Sequence, residues 1–240
     1  MKIWAHRGCS LRYPENTLKS FEKAGELTGL MDFMGIELDI QLTKDKQIVV
    51  CHDEKVDRTT DGSGYIKDYT LSELKKLRIA GKYQIPTMEE VFDLLLDKMK
   101  LGLKLNIELK NSNIYYDGME ESILNLAAKK GWQNNIIYSS FYTKSVEKMR
   151  HLDSKIELGI IDRYASDCLY KIKGGCGANA IHPLHTGIDL SADELSNYDV
   201  RAWFTGHLWP ELPTGNRLDL QKLESKGITD VFLNEPEIYV

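Results

Sequence analysis

Acidic residues inside apolar segments are the first feature of this sequence that could do chemistry. The segment Gly35–Leu42 alternates apolar and polar residues, so Glu37 and Asp39 would lie on one face of a β-strand. The segment Asn106–Lys110 alternates in the same way, so Glu108 and Lys110 would lie on the same face of a second strand. A buried charge is costly unless it is paired or bound to a metal. The two segments therefore predict a site with three carboxylates.

Three converging carboxylates are typical of a metal site. Carboxylates from neighbouring strands repel one another, and a hard, oxygen-preferring cation such as Mg²⁺ or Ca²⁺ relieves that repulsion. We predict that Glu37, Asp39 and Glu108 bind one divalent cation, and the sequence leaves both ions open. A solvated strand face is the alternative for the first two residues, but it would not explain why the pattern recurs at Glu108.

Two histidines and two cations complete the candidate site. His6 and His52 each end an apolar segment, and histidine is the side chain best suited to exchange protons near neutral pH. We predict that they form a general acid–base pair. Arg7 and Lys110 would bind phosphate oxygens, the arginine as a fork and the lysine as a point charge. Together these residue types predict phosphoryl chemistry, although each cation could also be an ion-pair partner.

The remaining aromatic and histidine residues are interpreted more conservatively. Trp203 lies near the end of a late apolar segment and is a candidate wall of the substrate pocket. Three other aromatic residues fit core packing: Tyr142, Phe204 and Trp209. Pro183 interrupts the segment that holds two further histidines, which are interpreted as loop residues without a metal: His182 and His185. His207 has no partner in the sequence and is interpreted as structural.

Short apolar segments alternate with amphipathic ones along the chain. Nine of the apolar segments predict strands: Lys2–Gly8, Met34–Thr43, Gln47–Asp53, Leu103–Lys110, Asn135–Phe141, Ile156–Ile161, Ala178–Pro183, Val200–Thr205 and Asp230–Asn234. Helical periodicity predicts helices that include Asn16–Leu27, Met119–Lys130 and Leu218–Lys226.

This alternation predicts an α/β protein with a parallel sheet, and about eight units favour closure into a (β/α)₈ TIM barrel. The chain lacks GxGxxG after its first strand, which argues against a dinucleotide-binding sheet. A polar, turn-rich stretch at about residues 54–70 predicts a small inserted loop after the third strand. We assign residues 1–240 to one barrel domain. The carboxyl ends of barrel strands carry active sites, and His6 and His52 lie at such ends.

Composition excludes several classes of partner. The chain has 240 residues, of which 42% are hydrophobic and 28% charged, and its formal net charge is −5. It has no basic block suited to nucleic acid or to an anionic membrane, and no apolar segment long enough to span a bilayer. We therefore predict a cytoplasmic enzyme that acts on a small molecule, binds no nucleic acid and inserts stably into no membrane. Four cysteines without a CxxC pair predict reduced thiols. The oligomeric state is left open.

The ordered motifs resemble those of the glycerophosphodiester phosphodiesterase family. Five motifs carry this resemblance: His6-Arg7-Gly8, Pro14-Glu15-Asn16-Thr17, Glu37-Leu38-Asp39, His52-Asp53 and Ile107-Glu108-Leu109-Lys110. The segment Ile85–Glu90 is similar to a P-T-L-E-E stretch of that family. Two later segments depart from it, since Phe204-Thr205-Gly206 stands in place of W-T-V-N and Asn234-Glu235-Pro236 in place of T-D-x-P. Both departures concern the side of the pocket that binds the alcohol.

The resemblance implies a metal-dependent barrel enzyme that hydrolyses glycerophosphodiesters to sn-glycerol 3-phosphate and an alcohol. It maps His6 and His52 onto the acid–base pair and Arg7 onto phosphate binding. It maps the three carboxylates onto the metal. Which histidine is the acid, whether water or the substrate 2-hydroxyl attacks, and which alcohol leaves stay open.

Two other functions would use the same barrel. A lysophospholipase D would need an apolar ramp at the barrel mouth, whereas the predicted inserted loop is polar. An inert barrel that binds a phosphorylated ligand would be expected to have lost a histidine or a metal carboxylate, and none is missing.

Overall fold

The computed structural model describes residues 1–205 and 217–240, and its strands form a closed barrel. Nine strands lie in these ranges: β1 (Lys2–His6), β2 (Phe33–Leu42), β3 (Ile48–Val50), β4 (Lys104–Leu109), β5 (Ile136–Ser140), β6 (Glu157–Asp162), β7 (Ala180–Pro183), β8 (Asp199–Ala202) and β9 (Asp230–Leu233). Eight of them are parallel and follow the order β1-β9-β8-β7-β6-β5-β4-β2. Pairing of β1 with β2 closes the ring, which confirms the predicted (β/α)₈ barrel.

The short strand β3 lies outside the ring. It pairs with β2 in the antiparallel direction, with Ile40 opposite Val50. Each of the nine predicted segments is thus a strand, but the third one serves as an antiparallel ribbon at the barrel mouth. After Val50 the chain continues back along β2 toward its middle, where the backbone N–H of Cys51 donates to the carbonyl of Asp39 at 3.0 Å, so His52 and Asp53 follow close to Asp39.

Helices alternate with the barrel strands. They are α1 (Leu18–Gly25), α2 (Leu71–Leu74), α3 (Met88–Lys100), α4 (Met119–Lys130), α5 (Thr143–Leu152), α6 (Ala165–Lys173), α7 (Ala192–Leu195) and α8 (Leu220–Glu224). The start of α3 explains the Pro86–Glu90 motif. The Thr87 side chain accepts from the backbone N–H of Glu90, whose carboxylate accepts from the backbone N–H of Thr87. This reciprocal capping satisfies two donors at the helix end.

The two faces of β2 have different partners. Ile36, Leu38 and Ile40 belong to the large apolar core that also contains Phe21 of α1 and Phe92 of α3. The alternate residues face the barrel interior, because successive side chains of a strand point to opposite sides. The apolar residues thus hold β2 against the helices while its acidic residues reach the site.

An ion cluster fills the amino-terminal end of the barrel. Arg201, which is 2% exposed, bonds to the first residues of two strands, Glu157 of β6 and Asp199 of β8. The first residue of β9, Asp230, accepts from the Trp4 indole at 2.9 Å. These contacts pair the buried charge of Arg201 with acidic groups at the end of the barrel opposite the candidate site, and Nε of Arg201 lies 3.7 Å from Oδ1 of Asp230.

The predicted inserted loop is larger than its polar composition indicated. The segment 51–87 contains a 3₁₀ turn at Ile66–Asp68 and the helix α2. It packs an apolar cluster of its own, formed with β3: Val49, Cys51, Val56, Ile66, Leu74, Ile79 and Ile85. We call this segment the insert. The predicted loop at about residues 54–70 lies within the insert, which extends beyond it on both sides because its spaced apolar residues match neither strand nor helix periodicity.

All four cysteines lie in the described ranges, where they are buried and form no disulfide bond. None of the described helices has the length and apolarity that crossing a bilayer requires.

Candidate active site

A strained turn after β1 begins the site. His6 ends the strand, and Arg7 and Gly8 follow with positive φ angles of 57° and 81°. A Cβ atom on Gly8 would lie 2.6 Å from the backbone carbonyl carbon of Ser20, so no larger residue fits there. The backbone N–H of Arg7 donates to Oε2 of Glu37 at 3.0 Å. The turn therefore fixes His6 and Arg7 relative to a carboxylate of β2.

Strand register brings the three predicted metal ligands together. Residue Glu37 of β2 pairs with His6 of β1, and Asp39 pairs with Glu108 of β4. One carboxylate oxygen from each of Glu37, Asp39 and Glu108 lies within 4.8 Å of the other two. Among the described residues, this is the single group of three acidic, cysteine or histidine side chains that could hold an ion.

The pKa values of the two buried β2 carboxylates are shifted in opposite directions. Burial, and then the neighbouring Asp39 and Glu108, raise the pKa of Glu37 well above its usual range. Burial also disfavours ionised Asp39, but His52, Arg7 and Lys110 outweigh it and hold the pKa of Asp39 below its usual range. A proton on Glu37 relieves the repulsion, and a cation at the same place would replace that proton.

One further observation supports a fit between this cluster and a metal ion. Oδ1 of Asp39 is buried and has no hydrogen-bond partner within the described residues. Buried acceptors are nearly always satisfied, so an unpaired carboxylate oxygen beside two other carboxylates is what a bound cation would explain. The residues present therefore fit a divalent cation with oxygen ligands.

The two predicted phosphate-binding cations differ in position. Arg7 lines the cavity and donates from Nη1 to Oε1 of Glu15 at 2.8 Å. Lys110 lies beside the carboxylates, with Nζ 2.8 Å from Oε1 of Glu108 and 3.8 Å from Oδ1 of Asp39. Burial opposes the charge of Lys110, but Glu108 and Asp39 outweigh it and raise its pKa. Both side chains are thus charged close to the carboxylate cluster.

His6 is held by an amide. Its Nδ1 lies 2.7 Å from Oδ1 of Asn234, which also accepts from the hydroxyl of Ser10 at 3.2 Å. An oxygen acceptor at Nδ1 requires the proton there, so Nε2 presents a lone pair. Burial, and then the charge of Arg7, lower the pKa of His6 to about 3, and the Asn234 bond offsets only part of this. His6 is therefore neutral near pH 7.

His52 is held by a carboxylate instead. Its Nδ1 donates to Oδ1 of Asp53 at 2.7 Å, which leaves Nε2 free. Burial disfavours the Asp53 charge, but the bonds from His52 and Arg58 lower its pKa below the usual range. In both predicted catalytic histidines an oxygen acceptor holds Nδ1, and Nε2 has no hydrogen bond within the described residues, but the two acceptors differ in charge; Nε2 of His6 lies 3.9 Å from Oε2 of Glu37.

Both histidines line one cavity of about 320 Å³ that has two chemically distinct sides. The polar side comes from the first 110 residues: His6, Arg7, Glu37, His52, Asn106 and Glu108. The other side comes from later strands and loops and is mainly aromatic and aliphatic, formed by Phe141, Ile161, Trp203, Phe204 and Phe232 together with His182 and Thr205. Such a cavity can hold a charged phosphate against one side and an apolar group against the other.

Trp203 occupies the predicted wall position. Its indole N–H lies 3.3 Å from the carbonyl of Asp162 and 3.2 Å from that of His182, and its ring contacts Phe141 edge-on. The assignment of Phe204 to the core alone was incomplete, because this residue also lines the cavity and stacks on His185.

The loop assignment of His182 was wrong. His182 lies in β7 and is 1% exposed, with its Nε2 3.3 Å from Nη1 of Arg201. Pro183 does not break the element because it is the last residue of β7, where a missing N–H costs little. His207 and Trp209 lie outside the described residues.

Sequence reasoning missed the groups that hold the active-site side chains. These are Glu15, which binds Arg7, Asn16, which donates to Asp39 at 2.8 Å, and Arg58, Asp53 and Asn234. Four of them lie inside segments compared with the family: Glu15, Asn16, Asp53 and Asn234. Their spacing alone carried no signal of these contacts, because all except Asp53, which bonds to the adjacent His52, act on residues distant from them in the sequence.

Comparison with known proteins shows to which protein family the chain belongs. The model of the glycerophosphoryl diester phosphodiesterase family matches residues 6–167. The chain belongs to this family. It is 33% identical over 259 aligned residues to the glycerophosphodiester phosphodiesterase of Caldanaerobacter subterraneus subsp. tengcongensis, with 99% of this chain and 96% of the relative covered. The family resemblance of the motifs is thereby confirmed.

Solved structures of the glycerophosphodiester phosphodiesterase family share the barrel. A phosphodiesterase from Oleispira antarctica, solved with its product sn-glycerol 3-phosphate, has a TM-score of 0.77 and 26% identity, with 99% of this chain and 94% of that chain covered. The enzyme from Thermotoga maritima has a TM-score of 0.75 and 26% identity, with 99% and 96% covered.

Proposed function

We propose that this protein hydrolyses glycerophosphodiesters to sn-glycerol 3-phosphate and an alcohol, with one divalent cation and histidine acid–base catalysis. The observation that carries the proposal is a cavity lined by two histidines, an arginine and the carboxylates of Glu37 and Glu108, with the carboxylate of Asp39 within 4.8 Å of both. The Oleispira relative, which holds sn-glycerol 3-phosphate, supports the same product class for this chain.

Glu37, Asp39 and Glu108 would hold the cation, which can be Mg²⁺ or Ca²⁺ because both prefer oxygen ligands. When bound, it would offset the negative charge that develops on the phosphoryl oxygens. Arg7 lines the cavity and would bind a phosphate oxygen, and Lys110 would add positive charge from behind Glu108. Fixed charges of this kind stabilise the transition state without reorganising during the reaction.

The partners of the two histidines suggest their roles. His6 is neutral and presents Nε2 as a proton acceptor, so it is assigned as the general base for the nucleophile. The nucleophile is water or the 2-hydroxyl of the substrate glycerol, and either would transfer its proton to this nitrogen. The carboxylate of Asp53 holds His52 through Nδ1 and so orients Nε2 for proton transfer, and His52 is therefore assigned as the acid for the leaving alcohol.

Asn234→Asp should raise the pKa of His6, because an anionic acceptor at Nδ1 favours the protonated ring. A base is inactive when protonated, so the acidic limb of the pH–rate profile of kcat/KM should move to higher pH than in the wild type. Activity above that limb should change little. Steady-state rates across pH, with metal affinity measured in parallel, check this. An unchanged acidic limb would exclude His6 as the base.

Soluble glycerophosphodiesters should have a higher kcat/KM than lysophospholipids presented on micelles. The reason is the polar exposed surface of the insert and a cavity of only about 320 Å³. Release of sn-glycerol 3-phosphate from glycerophosphocholine and glycerophosphoethanolamine, and of lysophosphatidic acid from lysophosphatidylcholine, measured with each metal restored after chelation, checks both the function and the ranking. The aromatic side of the cavity is what would favour the lysophospholipase D alternative, and a preference for the acylated substrate would establish it.

A further inference from the structure

Arg58 of the insert connects two carboxylates that lie behind the active site. Its Nε and Nη2 donate to the two oxygens of Asp53 at 2.6 and 3.0 Å. Its Nη1 and Nη2 donate to the two oxygens of Glu15 at 2.8 and 2.7 Å. Within the part of the chain that the structure describes, all four hydrogen bonds of Arg58 end on these two side chains.

Each of the two carboxylates holds a different active-site group. Oδ1 of Asp53 accepts from Nδ1 of His52 at 2.7 Å. Oε1 of Glu15 accepts from Nη1 of Arg7 at 2.8 Å. The contacts therefore run from His52 through Asp53, Arg58 and Glu15 to Arg7 without a gap.

Arg58 contributes one positive charge to the balance of charges around the cavity. The contacts around the cavity join five carboxylates, namely Glu15, Glu37, Asp39, Asp53 and Glu108, to three cations, namely Arg7, Arg58 and Lys110. The excess of two negative charges equals the charge of one divalent cation. Loss of Arg58 would leave the nearly buried Glu15 with Arg7 as its single cation.

We propose that Arg58 is a positioning residue that orients His52 and Arg7 together, through Asp53 and Glu15. The proposal rests on the proposed phosphodiesterase function, in which Arg7 binds the phosphate and His52 protonates the leaving alcohol. The planar guanidinium bonds both carboxylates in one fixed geometry, and a lysine cannot do so. The insert thus supplies the guanidinium of Arg58, which fixes the position of the phosphate-binding Arg7 relative to the acid His52.

Kinetics of Arg58→Met and Arg58→Lys test this role against a matched control in the same insert. Arg78 donates to the backbone carbonyls of Lys75 and Leu77, so Arg78→Met removes an insert arginine that does not contact the site. Arg58→Met should lower kcat by about 10²-fold, the usual cost of a misplaced reacting group. Its KM should rise less than its kcat falls. Arg58→Lys should recover part of kcat, and Arg78→Met should keep kcat and KM.

Added methylguanidinium should restore part of the activity of Arg58→Ala, because the Arg58 side chain is 43% exposed and its place is open to solvent. A merely structural arginine would not be replaced in this way. Rescue also keeps the test valid if Arg58→Met fails to fold, since Arg58→Lys and the rescued Arg58→Ala retain a cation at this place.

Nitrogen-15 NMR of the histidines gives a readout that is independent of activity. In the wild type, neutral His52 should carry its proton on Nδ1, and in Arg58→Met it should populate both tautomers because Asp53 is no longer held. Wild-type kcat together with an unchanged His52 tautomer in Arg58→Met would overturn the proposal. Absence of wild-type activity on every glycerophosphodiester would overturn the proposed function instead, and the tautomer comparison would still decide the role of Arg58.

Discussion

Replacement of Glu37 by Gln should abolish most divalent-cation binding and most activity while leaving the barrel folded. Glu37 is one of three carboxylates within 4.8 Å of one another, and an amide both removes charge and weakens metal binding. A metal-derived stabilisation of several kcal/mol in the transition state corresponds to a loss of about 10³-fold or more in rate. Calorimetric titration with Mg²⁺ and Ca²⁺ checks the loss of cation binding, and kcat checks the loss of activity. The Tm with and without metal checks that the barrel remains folded.

The stability of the metal-free variant follows from the sign of the pKa shift. The folded-state pKa of Glu37 is raised, so its contribution to stability is present at low pH and is lost as pH rises through that raised value. Metal-free Glu37→Gln should therefore have a Tm at neutral pH equal to or above that of the wild type. Metal should raise the Tm of the wild type and not that of the variant.

The variant Asp39→Asn distinguishes the contribution of Asp39 from that of Glu37. It should also abolish metal binding, but at a cost in stability, because the pKa of Asp39 is lowered in the folded state. Its stabilising contribution is present above the unfolded pKa and is lost as pH falls through the lowered value. Glu22→Gln, on the exposed face of α1, is the matched control and should change none of these properties. Full wild-type activity in excess chelator, with metal shown to be absent, would contradict the metal assignment.

Replacement of either proposed catalytic histidine by Ala should lower the rate by about 10²–10⁴-fold, the usual contribution of a general acid or base. Metal affinity should be spared, because neither His6 nor His52 belongs to the carboxylate cluster. The pH–rate profile of kcat/KM should be bell-shaped, since one ring must be neutral and the other protonated. A p-nitrophenyl phosphodiester distinguishes the roles, because its leaving group barely needs a proton. It should rescue His52→Ala and not His6→Ala.

A double variant and a control complete this test. Removing both histidines should cost much less than the product of the single losses, because groups that act as a unit are not additive. His151→Ala removes an exposed histidine whose Nδ1 lies 2.7 Å from a carbonyl of its own helix, and it should keep the wild-type rate. Wild-type rates for both His6→Ala and His52→Ala would show that these histidines are structural.

The barrel and the carboxylate cluster could be predicted because both follow from local periodicity. Alternation in β2 determines which residues face the interior, and parallel order places Glu37 and Asp39 beside Glu108 of β4. The predicted strands match the observed ones to within a few residues for the same reason. Because charged residues occupied strand positions predicted to be buried, they could be identified as candidate site residues without any knowledge of their partners.

The residues that hold the reacting groups could not be predicted, because their contacts are non-local. Asn234 reaches His6 across 228 residues of sequence, and Arg58 reaches Glu15 across 43. Neither distance corresponds to a helical or strand repeat. The opposite charge environments of Glu37 and Asp39 are equally invisible in a strand pattern, since they depend on Arg7 and Lys110 from other elements.

The two-sided cavity has a consequence for how this enzyme could diversify. The cavity-lining residues proposed for phosphate chemistry all precede residue 111, whereas the apolar wall begins at Phe141. Reaction and leaving-group preference would thus be encoded in successive stretches of one gene, apart from Asn234, which holds His6 from the later stretch. Recombination within the intervening segment would exchange the wall of one relative for that of another, and the reaction would be kept where the new stretch also supplies an acceptor for Nδ1 of His6. A chimaera of this kind would inherit its chemistry from one parent and its choice of alcohol from the other.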